Sequence, residues 1–172
     1  ILDAAGGGKY FLNLAFALVG KMRGGPAKAA ILASGLTGMI SGSSVANTVT
    51  TGTFTIPIMK KTGLPPVKAG AVEVAASVNG QIMPPIMGAA AFVMAELLGI
   101  SYLTVVTHAF LPAIISYIAL FYISHLEALK LDIKGLPENE IPPLGKTFFG
   151  GIHYLIPIIV LIFLLLFMKW TA

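Results

Sequence analysis

Two short runs of neutral polar residues interrupt an otherwise apolar chain: Ser41-Gly42-Ser43-Ser44-Val45-Ala46-Asn47-Thr48 and Ser77-Val78-Asn79-Gly80-Gln81-Ile82-Met83-Pro84-Pro85. Ser43, Ser44, Asn47 and Thr48 offer hydroxyl and amide oxygens in the first run, and Ser77, Asn79, Gly80 and Gln81 offer them in the second. A shell of neutral oxygens without Asp or Glu suits Na⁺ better than Ca²⁺ or Mg²⁺, which recruit carboxylates. Both runs fall where helices should end and restart. Carbonyls closing one helix attract a cation, and amides opening the next attract an anion.

The elements that must position these groups are those of a membrane protein. Hydrophobic residues make up 56% of the 172, charged residues only 10%, and mean hydropathy is +0.90. Soluble domains carry about 25% charged residues. The formal charge of +4 comes from basic residues gathered in short loops between apolar runs, the pattern of membrane topology rather than a nucleic-acid stripe. Cysteine is absent, which excludes disulfides, thiolate metal sites and thiol nucleophiles. The chain opens on Ile1 and is expected to be a piece of a longer polypeptide.

The spacing predicts an all-α integral membrane fold: a re-entrant helical hairpin, a broken helix and two ordinary transmembrane helices. Residues 1–20, with Asp3, Lys9 and Asn13, read as an interfacial helix or the tail of a truncated span. Residues 27–60 split at Ser41–Thr48 into halves of about 20 Å each, against a hydrocarbon core of roughly 30 Å. Lys21, Arg23 and Lys28 precede this pair and Lys60, Lys61 and Lys68 follow it, so both ends belong on one side of the membrane. Ala30, Ser34, Gly38 and Gly42 recur every four residues, a small-residue face that another helix can approach closely. The alternation of Thr51, Thr53 and Thr55 would fit a strand, but unpaired amides are intolerable in lipid, so a helix is expected.

Residues 67–98 read as one crossing broken at Asn79–Pro85 by the paired prolines. An ordinary span over 101–124, bent at Pro112, a basic cytoplasmic loop over 125–146 and a last span over 147–168 complete the order.

Other candidates carry less. Glu73 and Glu96 lie in apolar helices, where a carboxylate is a functional hypothesis by default. Lys68, five residues earlier, pulls Glu73 toward the interface, and Glu96 sits near a helix end. His108 and His153 are isolated on apolar spans and His125 marks the end of one; none has a second ligand at metal spacing. No phosphate loop, Ser-His-Asp set or HExxH motif is present, so no enzyme is expected.

Gly20-Lys21-Met22-Arg23-Gly24-Gly25-Pro26-Ala27, Ala33-Ser34-Gly35 and Ser41-Gly42-Ser43-Ser44-Val45-Ala46-Asn47 together resemble the large membrane subunit of TRAP (tripartite ATP-independent periplasmic) transporters. Gln81-Ile82-Met83-Pro84-Pro85-Ile86-Met87-Gly88-Ala89-Ala90-Ala91-Phe92 looks like that family's second motif. Ile86 after the paired prolines, where a Ser is commoner, is similar to the fused permeases that work with TAXI-type binding proteins.

The resemblance implies half of an inverted-repeat, elevator-type importer of organic anions, commonly carboxylates, driven by Na⁺ as coupling ion with no other cofactor. It implies a bacterial or archaeal cytoplasmic (inner) membrane location. The implied partners are a TAXI-type extracytoplasmic solute-binding protein, the remainder of the permease with its small-subunit helices, and the bilayer. By that likeness Ser43, Ser44, Asn47, Ser77, Asn79 and Gly80 would surround one Na⁺, while Ser44, Asn47, Thr48, Gln81 and Pro84 would face the substrate. Nothing here repeats the Ser41–Asn47 pattern, so the second hairpin of that family is not expected within this chain. A pore-lining channel subunit and a structural membrane subunit without a site are the competing readings.

Overall fold

Glycine and proline set most helix boundaries here, and apolar runs fill the lengths between. The computed structural model describes residues 6–166, which form eight α-helices and no strand. They are α1 (Gly7–Val19), α2 (Gly25–Ser41), α3 (Ser44–Lys61), α4 (Pro66–Gln81), α5 (Gly88–Leu98), α6 (Tyr102–Lys130), α7 (Leu144–Gly150) and α8 (Leu155–Leu166). Pro26 occupies the first turn of α2, where its missing N–H would have no helical partner anyway. Gly42 ends that helix with φ at 64°, a left-handed value that a side chain would resist. Ser43 then caps α3, its Oγ accepting the Ala46 N–H at 3.3 Å.

α2 and α3 double back on one another. Asn47 in the first turn of α3 bonds to Ser34 of α2, and Met59 near the end of α3 shares a buried cluster with Ala27 and Ala30 at the start of α2. Ala69 of α4 and Ala128 of α6 join that cluster, so the base of the hairpin, the start of α4 and the end of α6 lie together. A separate cluster of Met87, Ala91, Val105 and Val106 ties α5 to the start of α6. The four-residue stripe faces α4: Ser34 meets Glu73 and Ser77, and a Cβ on Gly80 would come within 2.8 Å of the Gly38 Cα. Gly42 continues the stripe beyond α4, where a Cβ on Gly88 would stand 2.2 Å from the Gly42 Cα. Small residues thus let the hairpin sit backbone to backbone against α4 and the start of α5.

Several boundaries differ from those expected. α2 and α3 have 17 and 18 residues, about 26 Å each rather than about 20 Å, because the turns at Gly25–Pro26 and Lys60–Lys61 are helical too. Thr51, Thr53 and Thr55 are helical, their hydroxyls donating to backbone oxygens one turn earlier. α6 passes through Pro112 as one helix and runs six residues past Ser124, taking the first part of the expected 125–146 loop. Its extra turn is supported by His125 against Lys28 and by an ion pair between Lys68 and Glu127.

The expected span over 147–168 is not one helix. Paired glycines at 150–151 break it, a single 3₁₀ turn over Ile152–Tyr154 follows, and α8 restarts at Leu155. The two arms meet at 60°. Residues 167–168 lie outside the described residues, as do residues 1–5 of the expected 1–20 element and with them Asp3. The remainder of that element is α1, whose Leu12, Ala15 and Phe16 pack on Ala29 and Ala33 of α2. Among the described residues α6 alone is a helix long and apolar enough to cross a bilayer; the bent arms Glu138–Gly150 and Ile152–Leu164 reach that standard only jointly.

Candidate functional site

Seven polar residues from α2, α3 and α4 meet inside the helix bundle, each less than a tenth exposed: Ser34, Thr37, Asn47, Thr51, Thr55, Glu73 and Ser77. Asn47 is the hub. Its Nδ2 donates to the Ser34 carbonyl at 3.0 Å, to Ser34 Oγ at 2.8 Å and to Ser77 Oγ at 3.0 Å. Its Oδ1 accepts from Thr37 Oγ1 at 2.7 Å. One amide in the first turn of α3 therefore fixes the hairpin's two arms to each other and both to α4.

Behind Asn47 lies Glu73, whose side chain is fully enclosed. Its Oε1 accepts from Ser34 Oγ at 3.0 Å, from Ser77 Oγ at 3.4 Å and from Thr51 Oγ1; its Oε2 accepts from Thr55 Oγ1 at 2.6 Å. The expectation that Lys68 draws Glu73 to an interface is corrected: Lys68 pairs with Glu127, and Glu73 points the other way, into α2 and α3. A helix turn places Ser77 on the same face as Glu73, and that face is the one covered by the hairpin. The signal in the sequence was four-residue spacing: Thr51 and Thr55 on one helix, Glu73 and Ser77 on the next.

The remaining candidates are distributed as follows. Gly80 packs against Gly38 beside Asn47. Gln81 Nε2 donates to the Gly42 carbonyl at 2.8 Å, so the last carbonyl of the α2 end is held by the α4 end. Ser43, Ser44 and Thr48 are half-buried at the hairpin tip; Ser43 is spent on its cap, while Ser44 and Thr48 join none of the buried network's hydrogen bonds. Asn79 faces away from Asn47, accepting from Ser116 Oγ of α6 at 2.8 Å. Pro84 lines a cavity of about 710 Å³ with apolar walls, beside Gly35, Met39 and Tyr117. The structure thus brings Asn47, Ser77 and Gly80 together, places Ser43, Ser44, Thr48 and Gln81 around the tip, and turns Asn79 and Pro84 toward the α6 side.

Glu96 is exposed in the last turn of α5. His108 is exposed with Nδ1 2.7 Å from the Thr104 carbonyl, and exposed His153 lies against the Tyr154 ring at 4.0 Å. Among the described residues no three His, Cys, Asp or Glu side chains gather as a metal cluster.

The family model for the DctM component of the tripartite ATP-independent periplasmic transporter matches residues 1–172, the whole chain. The uncharacterized protein YgiK of Salmonella typhimurium is 34% identical over 128 residues, covering 74% of this chain and 29% of its own length. A protein of Haemophilus influenzae, provisionally named a TRAP transporter large permease protein, is 26% identical over 162 residues, or 94% of this chain and 38% of its own. The uncharacterized protein y4mL of Sinorhizobium fredii is 25% identical over 161 residues, 91% of this chain and 38% of its own. The chain spans about a third of the length of these relatives. By composition, by the α6 helix and by the match along its full length, this chain is a membrane protein that belongs to the DctM family of TRAP transporter components, a family of permeases and not of enzymes.

Proposed function

We propose that the chain is the portion of a sodium-coupled, binding-protein-dependent importer that carries one hairpin and its facing broken helix, and that the importer moves organic anions such as carboxylates. The observation that supports this reading is the seam between the hairpin tip and the α4–α5 break: Gln81 holds the Gly42 carbonyl, and Gly42 and Gly88 touch through bare backbone. Irregular backbone at membrane depth is tolerable where protein buries it or a cavity is lined by it, and such breaks are where secondary transporters bind ion and substrate. On this reading α2–α3 is re-entrant, with Lys21, Arg23, Lys28, Lys60 and Lys61 on the cytoplasmic side of a multi-pass protein in the bacterial or archaeal inner membrane.

The donor set suits the coupling ion. Ser43, Ser44, Asn47, Ser77, Asn79 and Gly80 supply neutral oxygens, with Asn79 contributing through its backbone because its side chain serves Ser116. The opening amides of α3 would draw the anionic substrate toward Ser44, Asn47, Thr48, Gln81 and Pro84. A second hairpin elsewhere in the permease would complete the site. The partners on this reading are a TAXI-type solute-binding protein, the rest of the permease with its small-subunit helices, and the bilayer.

Uptake by the full permease in proteoliposomes tests the reading. Saturable uptake should require both a Na⁺ gradient and the binding protein, and Asn47→Ala should lower it at least tenfold. Ion flux without the binding protein, unaffected by Asn47→Ala, would point to a pore instead.

A further inference from the structure

Among the described residues Glu73 has no positive partner. Among the described residues the ion pairs are Lys21–Glu138, Arg23–Asp132 and Lys68–Glu127, while Lys28 turns to His125 at 3.1 Å. A fully enclosed carboxylate without a counter-charge is costly, and hydroxyl groups offset only part of that cost.

The hydroxyls around it are also short of protons. Thr51 Oγ1 lies against both Glu73 Oε1 and the Asn47 carbonyl, the latter at 2.7 Å. Thr55 Oγ1 lies between Glu73 Oε2 at 2.6 Å and the Thr51 carbonyl at 3.1 Å. Ser34 Oγ is 3.0 Å from Glu73 Oε1, 3.0 Å from Ser77 Oγ and 3.4 Å from Thr51 Oγ1, and Ser77 Oγ is 3.4 Å from Glu73 Oε1. Each of the four hydroxyls brings one proton, and Asn47 Nδ2 donates its own to Ser34 Oγ and Ser77 Oγ. Of the eight close oxygen–oxygen contacts only four can therefore be hydrogen bonds at once, which leaves lone pairs of the Glu73 carboxylate to meet a positive charge.

We propose that Glu73 is the charged ligand of one Na⁺ ion held between the hairpin and α4 by Ser34, Thr51, Thr55 and Ser77. This rests on the cation-coupled permease reading and adds to it a carboxylate that the tip residues lack. α2 faces Glu73 with Ser34, α3 with Thr51 and Thr55, and α4 itself with Ser77, so no titratable group competes for the charge. Thr51 and Thr55 also line a cavity of about 520 Å³ between α1 and α3, whose one charged lining residue is Lys9, itself exposed. Because the ligands come from both hairpin arms and from α4, cation binding and closure of the hairpin onto α4 are a single event.

The test is thermal unfolding of the purified full permease in NaCl or in choline chloride at fixed pH. The wild type should be stabilised by Na⁺, and Glu73→Gln should abolish that stabilisation. A Glu73→Gln protein that keeps the Na⁺ response overturns the inference and leaves the permease reading standing; a wild type without a Na⁺ response overturns both. Should Glu73→Gln not fold, Thr55→Val should raise the half-saturating Na⁺ at least tenfold, while Thr55→Ser stays within twofold. Identical responses from Val and Ser would overturn it equally.

Discussion

The hairpin has two polar regions that look alike in residue type and differ in nearly everything else. At the tip, Ser43, Ser44 and Thr48 are half-buried and sparsely bonded. One to three turns deeper, Asn47, Thr51 and Thr55 are buried and bonded to two other helices. The tip keeps hydrogen-bonding capacity in reserve, as a surface that meets a ligand or a second hairpin must. The interior turns its hydrogen bonds inward and fixes α2, α3 and α4 to each other. Buried polar networks of this kind specify one arrangement because every alternative leaves a group unsatisfied.

Substitution by alanine should separate the two regions most sharply. Asn47→Ala would leave the Thr37 hydroxyl only its own helix's carbonyls and remove the buried donors to Ser34 and Ser77, costing about 2–4 kcal/mol in all. Ser44→Ala removes no bond of the network and should cost less than about 0.5 kcal/mol. Denaturant or thermal unfolding of the detergent-solubilised full permease reads both, and equal losses would mean that the tip is as structural as the interior.

A smaller effect is expected where the regions join. Gly88 has φ at 53° and faces the Gly42 Cα, so Gly88→Ala forces the tip away from the break and should cost about 1–3 kcal/mol. Gly70 lies on the same helix as part of the network, but a methyl group added there would meet nothing within 4 Å. It is the control: Gly70→Ala should be neutral or stabilising by up to about 1 kcal/mol. The ratio of reactivity of a cysteine at Ser44 in the two backgrounds would report whether the tip has moved.

The tip was legible because its residues are consecutive. Ser41–Thr48 announces a break in an apolar run, and Pro84–Pro85 announces another. The small-residue stripe from Ala30 to Gly42 also reads directly, since its period matches one helix face. The interior network is spread over more than forty residues and three helices, one polar group per turn, so no window of the sequence contains it. Glu73 was misplaced for a related reason: Lys68 is near in sequence, yet five residues on a helix put the two on different faces, and Lys68 finds Glu127 on α6 instead. Hydropathy alone did not show the break in the last apolar run. Gly150–Gly151 breaks the run, and the 3₁₀ turn that follows sets the Tyr154 ring tilted against Tyr10 with centroids 5.4 Å apart.

The weakest contrast sets the buried network against the ion pair at the base of the hairpin. Lys21 Nζ donates to Glu138 Oε1 at 2.6 Å with both side chains mostly in solvent. That hydrogen bond, aided by the lysine's charge and opposed slightly by desolvation, holds the Glu138 carboxyl below its ordinary range. A carboxylate whose pKa is lowered on folding adds stability that is complete above the unfolded value, about 4.3, and is lost as pH falls through the lower folded value. Glu138→Gln should therefore differ from wild type by at most a small drop in melting temperature at pH 7, which starts to shrink below about pH 4.3 and vanishes once pH is under the lower folded value, and which is also lost in about 1 M salt, where charges are screened within about 3 Å. Asn47→Ala, which removes no charge, should keep its deficit across the same salt range. A Glu138→Gln deficit that survives acid and salt would show that this loop contributes packing rather than charge, and the contrast between an adaptable surface pair and a fixed interior would have to be redrawn.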